Sequence, residues 1–193
     1  MAVKTGFSKP YVAVYGASGG TIAYTDGAIL ARGVNVTVSP ESSDDNKFYA
    51  DNQAVESAAG IFTGGTVTLE VDGLESAAYR LIYGLPTAET DGGVDFNDDM
   101  AIPYVGVGYI YCAQRDGVVK YYPTVIYKCR FNLPELSAAT QEDSIDWQTQ
   151  SLEATIFRAD DAKHKWLWMH EAGFTTESAA ETALRTKLNI ANS

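Results

Sequence analysis

The chain has 193 residues, 46% of them hydrophobic, so it is long enough to bury a sizeable core and is globular rather than disordered. Its 25 acidic and 14 basic residues give a formal net charge of −11, which excludes a duplex-DNA binder, since such a protein needs a basic face to displace counterions from phosphates. No apolar run approaches the ~20 residues of a membrane-spanning helix, and the opening MAVKTGFSKP lacks the apolar core of a signal peptide, so the chain reads as one made and used without secretion.

In chain order, Tyr11 to Tyr15 and Thr21 to Tyr24 read as strands around a glycine-rich turn. Gly16-Ala17-Ser18-Gly19-Gly20 matches the G-x-S-x-G nucleophile elbow, but that motif needs a helix after the serine and TIAYTDG continues as a strand. Its base would have to be His164 or His170, and His164 lies between two lysines in a wet position. The glycines more simply serve a hairpin, and no enzyme activity is expected. Val34, Val36 and Val38 alternate with Asn35 and Thr37, a strand with one dry face. Ser39 to Asp45 is polar and leads into the FYADN strand-turn; Thr66 to Val71 alternates again.

Asp72 is placed to cap a helix with Glu75 three positions on, and Leu74, Ala78, Leu81 and Ile82 fall on one face before Gly84 stops it. Thr87 to Asp99 reads as a solvated acidic loop. Asp95, Asn97 and Asp99 mimic the start of a calcium loop, but Met100 and Gly106 stand where the strict Gly and Glu belong. Cysteines and histidines show no paired short spacing for zinc, and no cofactor motif is present. Tyr104 to Arg115 and Val118 to Phe131 read as a hairpin turning at Asp116-Gly117. In that register Cys112 faces Tyr121 and Cys129 faces Tyr104, roughly 27 Å apart, so no disulfide is expected. Near the end of the second strand, Tyr127, Cys129 and Phe131 are expected on one face and Lys128 and Arg130 on the other. The chain turns after Pro134. Leu152, Ala154 and Ile156 then resume the alternation, Trp166 and Trp168 are expected to share one packed face, and a helix runs from near Thr176 to about Leu188. Turn dipeptides at Asp26-Gly27, Asp72-Gly73, Asp91-Gly92 and Asp116-Gly117 punctuate the strands. The pattern favours an antiparallel sandwich or barrel over a βαβ fold, in a single domain across 1–193 with extended loops near 39–52 and 86–103.

Four blocks resemble, in order, the major tail (tail-tube) proteins of long-tailed bacteriophages. They are NKFYADNQAVE with GGTVTLEVDGL; IPYVGVGYIY; YYPTVIYKCRFNLPE running into EDSIDWQTQSLEATI; and WLWMHEAGFTTESAAETAL. Together they cover more than half of the chain, while the first forty residues and the 86–103 loop match less well.

The resemblance implies a mainly β, antiparallel sandwich or barrel-like tail-tube fold with one internal helix and a C-terminal helix. Such subunits form stacked hexameric rings, a hollow tube through which DNA passes without specific binding. The implied partners are other copies of the chain and tail proteins such as the tape measure and terminator. The implied place is the virion tail, assembled in the host bacterial cytoplasm, with no membrane. The family reaches the adjacent ring with an extended hairpin loop, which here falls at about Ser39 to Asn52; Asp44, Asp45, Asn46, Lys47, Phe48, Tyr49 and Asp51 are the candidate inter-ring contacts. Phe48 and Tyr49 read equally as interface anchors or as sandwich core. The acidic balance reads as solubility or, in a ring, as a lumen that repels DNA. The rival reading is a monomeric β-sandwich binding module, immunoglobulin-like or carbohydrate-binding, which would expose an aromatic strip.

Overall fold

A computed structural model of the chain describes residues 3–44, 46–50, 53–58, 60–74, 76–86, 96–98, 100–134 and 148–191, with Val3, 46–50 and 53–58 described by backbone alone. The strands are β1 (Val3–Ser18), β2 (Thr21–Ile29), β3 (Gly33–Ser42), β4 (Asn46–Ala50), β5 (Gln53–Ala58), β6 (Phe62–Val71), β7 (Val105–Arg115), β8 (Val118–Phe131), β9 (Gln150–Ile156) and β10 (Leu167–Met169). The helices are α1 (Ser76–Tyr83) and α2 (Glu177–Lys187). The expected mainly β fold with an internal and a C-terminal helix is what forms. One sheet runs in the order β2-β1-β7-β8-β9-β6-β3, every pair antiparallel, with β10 added beside β8. The sheet rolls until its two ends approach: the Phe7 ring of β1 lies on Gly33 of β3, where a Cβ would come within 2.1 Å of it.

Rolling gives the sheet an inside and an outside, and each is packed. The inner core gathers Val12, Val67, Leu69, Val107, Ile126, Phe131, Leu152 and Ile156, closed at one end by Ala78, Ile82 and Tyr83 of α1. The outer core lies under α2 and gathers Tyr11, Tyr24, Ile110, Val125, Tyr127, Ala180, Leu184 and Leu188. Alternation along β7 and β8 therefore feeds two dry faces rather than one dry and one wet, which explains why both strands read as nearly continuous apolar runs.

A bulge corrects the register expected for the long hairpin. Asp116 and Gly117 do form its turn, at φ 51° and 78°, and Cys112 pairs with Tyr121. Beyond the Val107–Ile126 pair, however, β8 carries an extra residue, so Cys129 pairs with Val105 rather than Tyr104. The extra residue reverses the phase of the strand. Tyr127 faces the outer core, whereas Cys129 and Phe131 face the inner one, so the three do not share a face. The tryptophans do not share a face either. Trp166 precedes β10, accepts Tyr127 N–H at 3.1 Å and stacks on Phe62 in the inner core, while Trp168 joins the outer core. Both thiols are free. Cys129 is buried, its thiol donating to the Val105 carbonyl at 3.3 Å, and Cys112 is half-buried.

Further corrections concern Asp-Gly pairs and strand lengths. Asp26-Gly27 is a bulge inside β2, with Asp26 at φ 50°, and not a turn. Asp72 does not cap α1: its carboxylate accepts Arg32 N–H at 3.0 Å, and the helix begins at Ser76. Gly84, at φ 63°, follows the last helical residue as expected. β1 is longer than the expected Tyr11–Tyr15 because β7 pairs with it as far back as Val3. The expectations for Glu75, Asp91-Gly92, most of the acidic 87–99 loop and the turn after Pro134 lie outside the described residues.

α2 has the expected terminal chemistry. Thr176 accepts Ala179 N–H at 3.3 Å as N-cap, Glu177 sits in the first turn, and Arg185 and Lys187 sit in the last. Side-chain bonds then fasten it to β1. Ser8 donates to Glu177 and Tyr11 donates to Glu181, each at 2.5 Å, and the Lys9 ammonium lies 3.3 Å from Glu181.

Candidate functional site

The candidate inter-ring segment is divided by the structure into two parts. Ser39 to Ser42 is not loop: it continues β3 and pairs with Thr66, Gly65, Gly64 and Phe62 of β6. β4 and β5 then form a two-stranded sheet of their own, off the main sheet. The element set apart from the main sheet is therefore the β4–β5 pair, later in the chain than the 39–52 loop read from sequence. Its neck is closed by Ser43 N–H donating to the Ile61 carbonyl at 2.9 Å and by Ile61 N–H donating to the Ser43 hydroxyl at 3.1 Å. Beside that neck, Asp44 is exposed and Ile61 is 63% exposed, an apolar side chain left in water at the base of the β4–β5 pair. Asn46, Lys47, Phe48 and Tyr49 lie on β4, and their side chains fall outside the described structure, as do Asp45 and Asp51 altogether.

The main sheet has two further surfaces suited to self-association, its edge strands β2 and β3. Each leaves a row of backbone donors and acceptors without a strand partner. Each is also partly blunted, β2 by the Asp26 bulge and β3 by Pro40, which has no N–H to offer. Exposed apolar side chains stand on both, Ile29 on β2 and Val34 on β3. Sequence alternation identified these strands but carried no sign that they would be the edges, because edge position is a property of the whole topology.

The other motifs fall as follows. Ser18 ends β1 and Gly19-Gly20 turn directly into β2, so no helix follows the serine and the nucleophile elbow is not formed. His164 is exposed at φ 49°, whereas His170 packs against Phe174 with ring centroids 4.4 Å apart. Of the calcium-like trio, only Asn97 is described. Among the described residues, just two aromatic side chains are exposed, Phe96 and Tyr104. Phe96 leans on Tyr79 and Tyr83, and Tyr104 packs on Phe157 beneath Lys128 and Arg130, so they do not form a common strip.

Burial governs the titratable groups that hold this frame. Desolvation and the Glu181 hydrogen bond push Tyr11 up to about 12. Desolvation acts to raise Glu181, but the hydrogen bonds from Tyr11 and Lys9 outweigh it and hold the carboxyl below its ordinary value. Desolvation also pushes the Cys129 thiol far above the usual range. Asp160 is held low, chiefly by its 2.7 Å hydrogen bond from Lys128.

These features define a mainly antiparallel β protein in which, among the described residues, two sheet edges have no strand partner and β4 and β5 pair apart from the main sheet. No protein-family model matches the chain, and comparison with curated proteins gave no match. Among the described residues, no helix is long and apolar enough to cross a membrane.

Proposed function

We propose that the chain is a structural protein, the tail-tube subunit of a long-tailed bacteriophage. Hexameric rings of it stack into the hollow tube of the virion through which DNA passes. The observation that carries this reading is a separate β4–β5 pair beside a rolled sheet whose β2 and β3 edges have no strand partner among the described residues. Different surfaces on one subunit favour head-to-tail contacts, which close into rings when the rotation between copies allows. The separate β4–β5 pair with its exposed apolar neck offers a further contact out of the ring plane. The blunted edges account for a subunit that stays soluble until a matching surface is presented, which in a tail would be an existing ring or a tail-tip complex.

The resemblance of the four blocks adds the tube to this picture, and it adds the tape measure and terminator proteins as partners. The chemistry of the role is assembly, with no catalytic group and no cofactor. The net charge of −11 supports passage of DNA without adhesion, because like charge on subunit and phosphate disfavours sticking. The rival reading as a carbohydrate-type binding module lacks support from the aromatic side chains, since Phe96 and Tyr104 are held separately against neighbours. Electron microscopy of the purified protein at increasing concentration tests the proposal: tubes or rings of uniform width support it, and particles of any other form oppose it.

A further inference from the structure

The rolled sheet is not sealed along its seam. β2 covers β1 only from Tyr11 to Ser18, so the first residues of β1 are bonded to β7 alone, and β3 faces them without a ladder. Between them lies a cleft of about 490 Å3. Val36 and Val38 of β3 line one side; Phe7, Tyr109, Tyr111 and Trp166 line the rest.

Two polar groups in this cleft have neither a hydrogen-bond nor an ion-pair partner among the described residues. Thr124, only 2% exposed, lines the cleft, and its hydroxyl, closed to solvent, has no hydrogen-bond partner among the described residues. Buried hydroxyls are normally satisfied, because one that has lost its water and gained nothing destabilises the fold. The nearby Tyr111 hydroxyl is already engaged, donating to the Met169 sulfur at 3.0 Å. Lys4 also lines the cleft, its ammonium 5.0 Å from the centroid of the Tyr111 ring, and no carboxylate pairs with it among the described residues. An anionic ligand group would give this cation a counter-charge at the mouth of an aromatic cleft.

We propose that this cleft binds a small aromatic anion. Its planar apolar body lies between the β3 valines and the facing rings, its anionic group meets Lys4, and a polar atom of the ligand meets the Thr124 hydroxyl as the side chains over that hydroxyl shift. The volume falls within the range of about 300–1,000 Å3 usual for small-molecule sites, and a mostly apolar lining with a few placed polar groups is their usual composition. The hydroxyl both donates and accepts, so it selects for a polar atom and not for one particular group. The cleft and its ligand do not depend on tube assembly.

The probe is 8-anilinonaphthalene-1-sulfonate, which carries an aromatic body, an N–H and a sulfonate, titrated into the full-length folded chain and followed by fluorescence and calorimetry. Saturable binding of one molecule per chain is expected. Thr124→Val, which keeps the shape and removes the hydroxyl, is expected to weaken binding roughly three- to tenfold. Lys4→Gln is expected to weaken it about two- to fivefold and to flatten its salt dependence. Val36→Trp fills the cleft and is expected to abolish it. Near-UV circular dichroism on each protein separates a site in the native fold from dye adsorbed to a loosened one. The proposal is overturned by absence of saturable binding, by binding that appears only as near-UV signal is lost, or by binding that Thr124→Val and Val36→Trp both leave unchanged. Thr124→Val decides the matter alone if Val36→Trp fails to fold.

Discussion

Gly108 lies directly under Leu184 and Leu188, and a single methyl there tests how the outer core is built. A Cβ at Gly108 would lie 2.7 Å from Leu184 Cδ1 and 2.8 Å from Leu188 Cδ1. Carbon atoms in good contact sit about 3.5–4.0 Å apart, so the leucine methyls or the helix must retreat by roughly 1 Å. Both leucines are fully buried and have no solvent to retreat into. Overpacking of this kind costs about 1–3 kcal/mol. At about 2–4 °C per kcal/mol for a chain of this size, Gly108→Ala should lower Tm by about 2–12 °C. Leu184→Ala alone should cost more, about 2–5 kcal/mol, through the cavity it leaves. Because the two changes meet at one contact, the double variant should be more stable than the sum of the singles implies, by about 1 kcal/mol. Thermal and urea melts of the four proteins measure this cycle. An unchanged Tm for Gly108→Ala, with strict additivity in the double variant, would refute the packing described.

The clasp between α2 and β1 should be sensitive to pH at both ends. Glu181 has its folded pKa held below 4.5, so its contribution is present above that pH and is lost as pH falls through the folded value; amide exchange in α2 should accelerate there, and Glu181→Gln should remove that step. Tyr11, pushed up to about 12 from 10.0, disfavours ionisation in the folded chain, so stability should also decline as pH rises past 10.0, a decline that Tyr11→Phe makes shallower in a pH series of melts without removing it, because burial raises Tyr24, Tyr83 and Tyr109 as well. Cys129 is buried with its thiol pushed up, so a thiol reagent should leave it untouched in the native protein and label it only on unfolding; prompt native labelling at Cys129 would contradict the inner core described. Excision of 46–58 with the Ser43–Ile61 neck retained should leave cooperative melting intact while preventing tube formation, and tubes from the excised protein would remove the hairpin from the account.

Much of this fold is legible in the order of residues, for a local reason. Leu152, Ala154 and Ile156 are all buried, and Thr176 to Leu188 carries both a cap and an apolar stripe, so each declares itself within a few residues. The Asp116-Gly117 turn does the same. What the residues did not disclose depends on distant partners. Asp72 has the right chemistry for a helix cap, but Arg32, forty positions earlier, takes its carboxylate. The bulge in β8 has no marker of its own, yet it moves Cys129 and Phe131 to the opposite face from Tyr127. The candidate assembly surfaces follow the same division. The polar 39–45 stretch announces itself, but its first residues become strand because β6 is there to pair with them. The orphan hydroxyl of Thr124 is invisible without the rolled sheet around it.

The most direct test of the central claim is negative-stain electron microscopy of the purified chain up to the highest concentration it tolerates, with and without a crowding agent to promote nucleation. The account predicts rings and hollow tubes of one uniform width, lost when the 46–58 hairpin is removed. Monomers alone under every condition, or aggregates without a lumen, would contradict it.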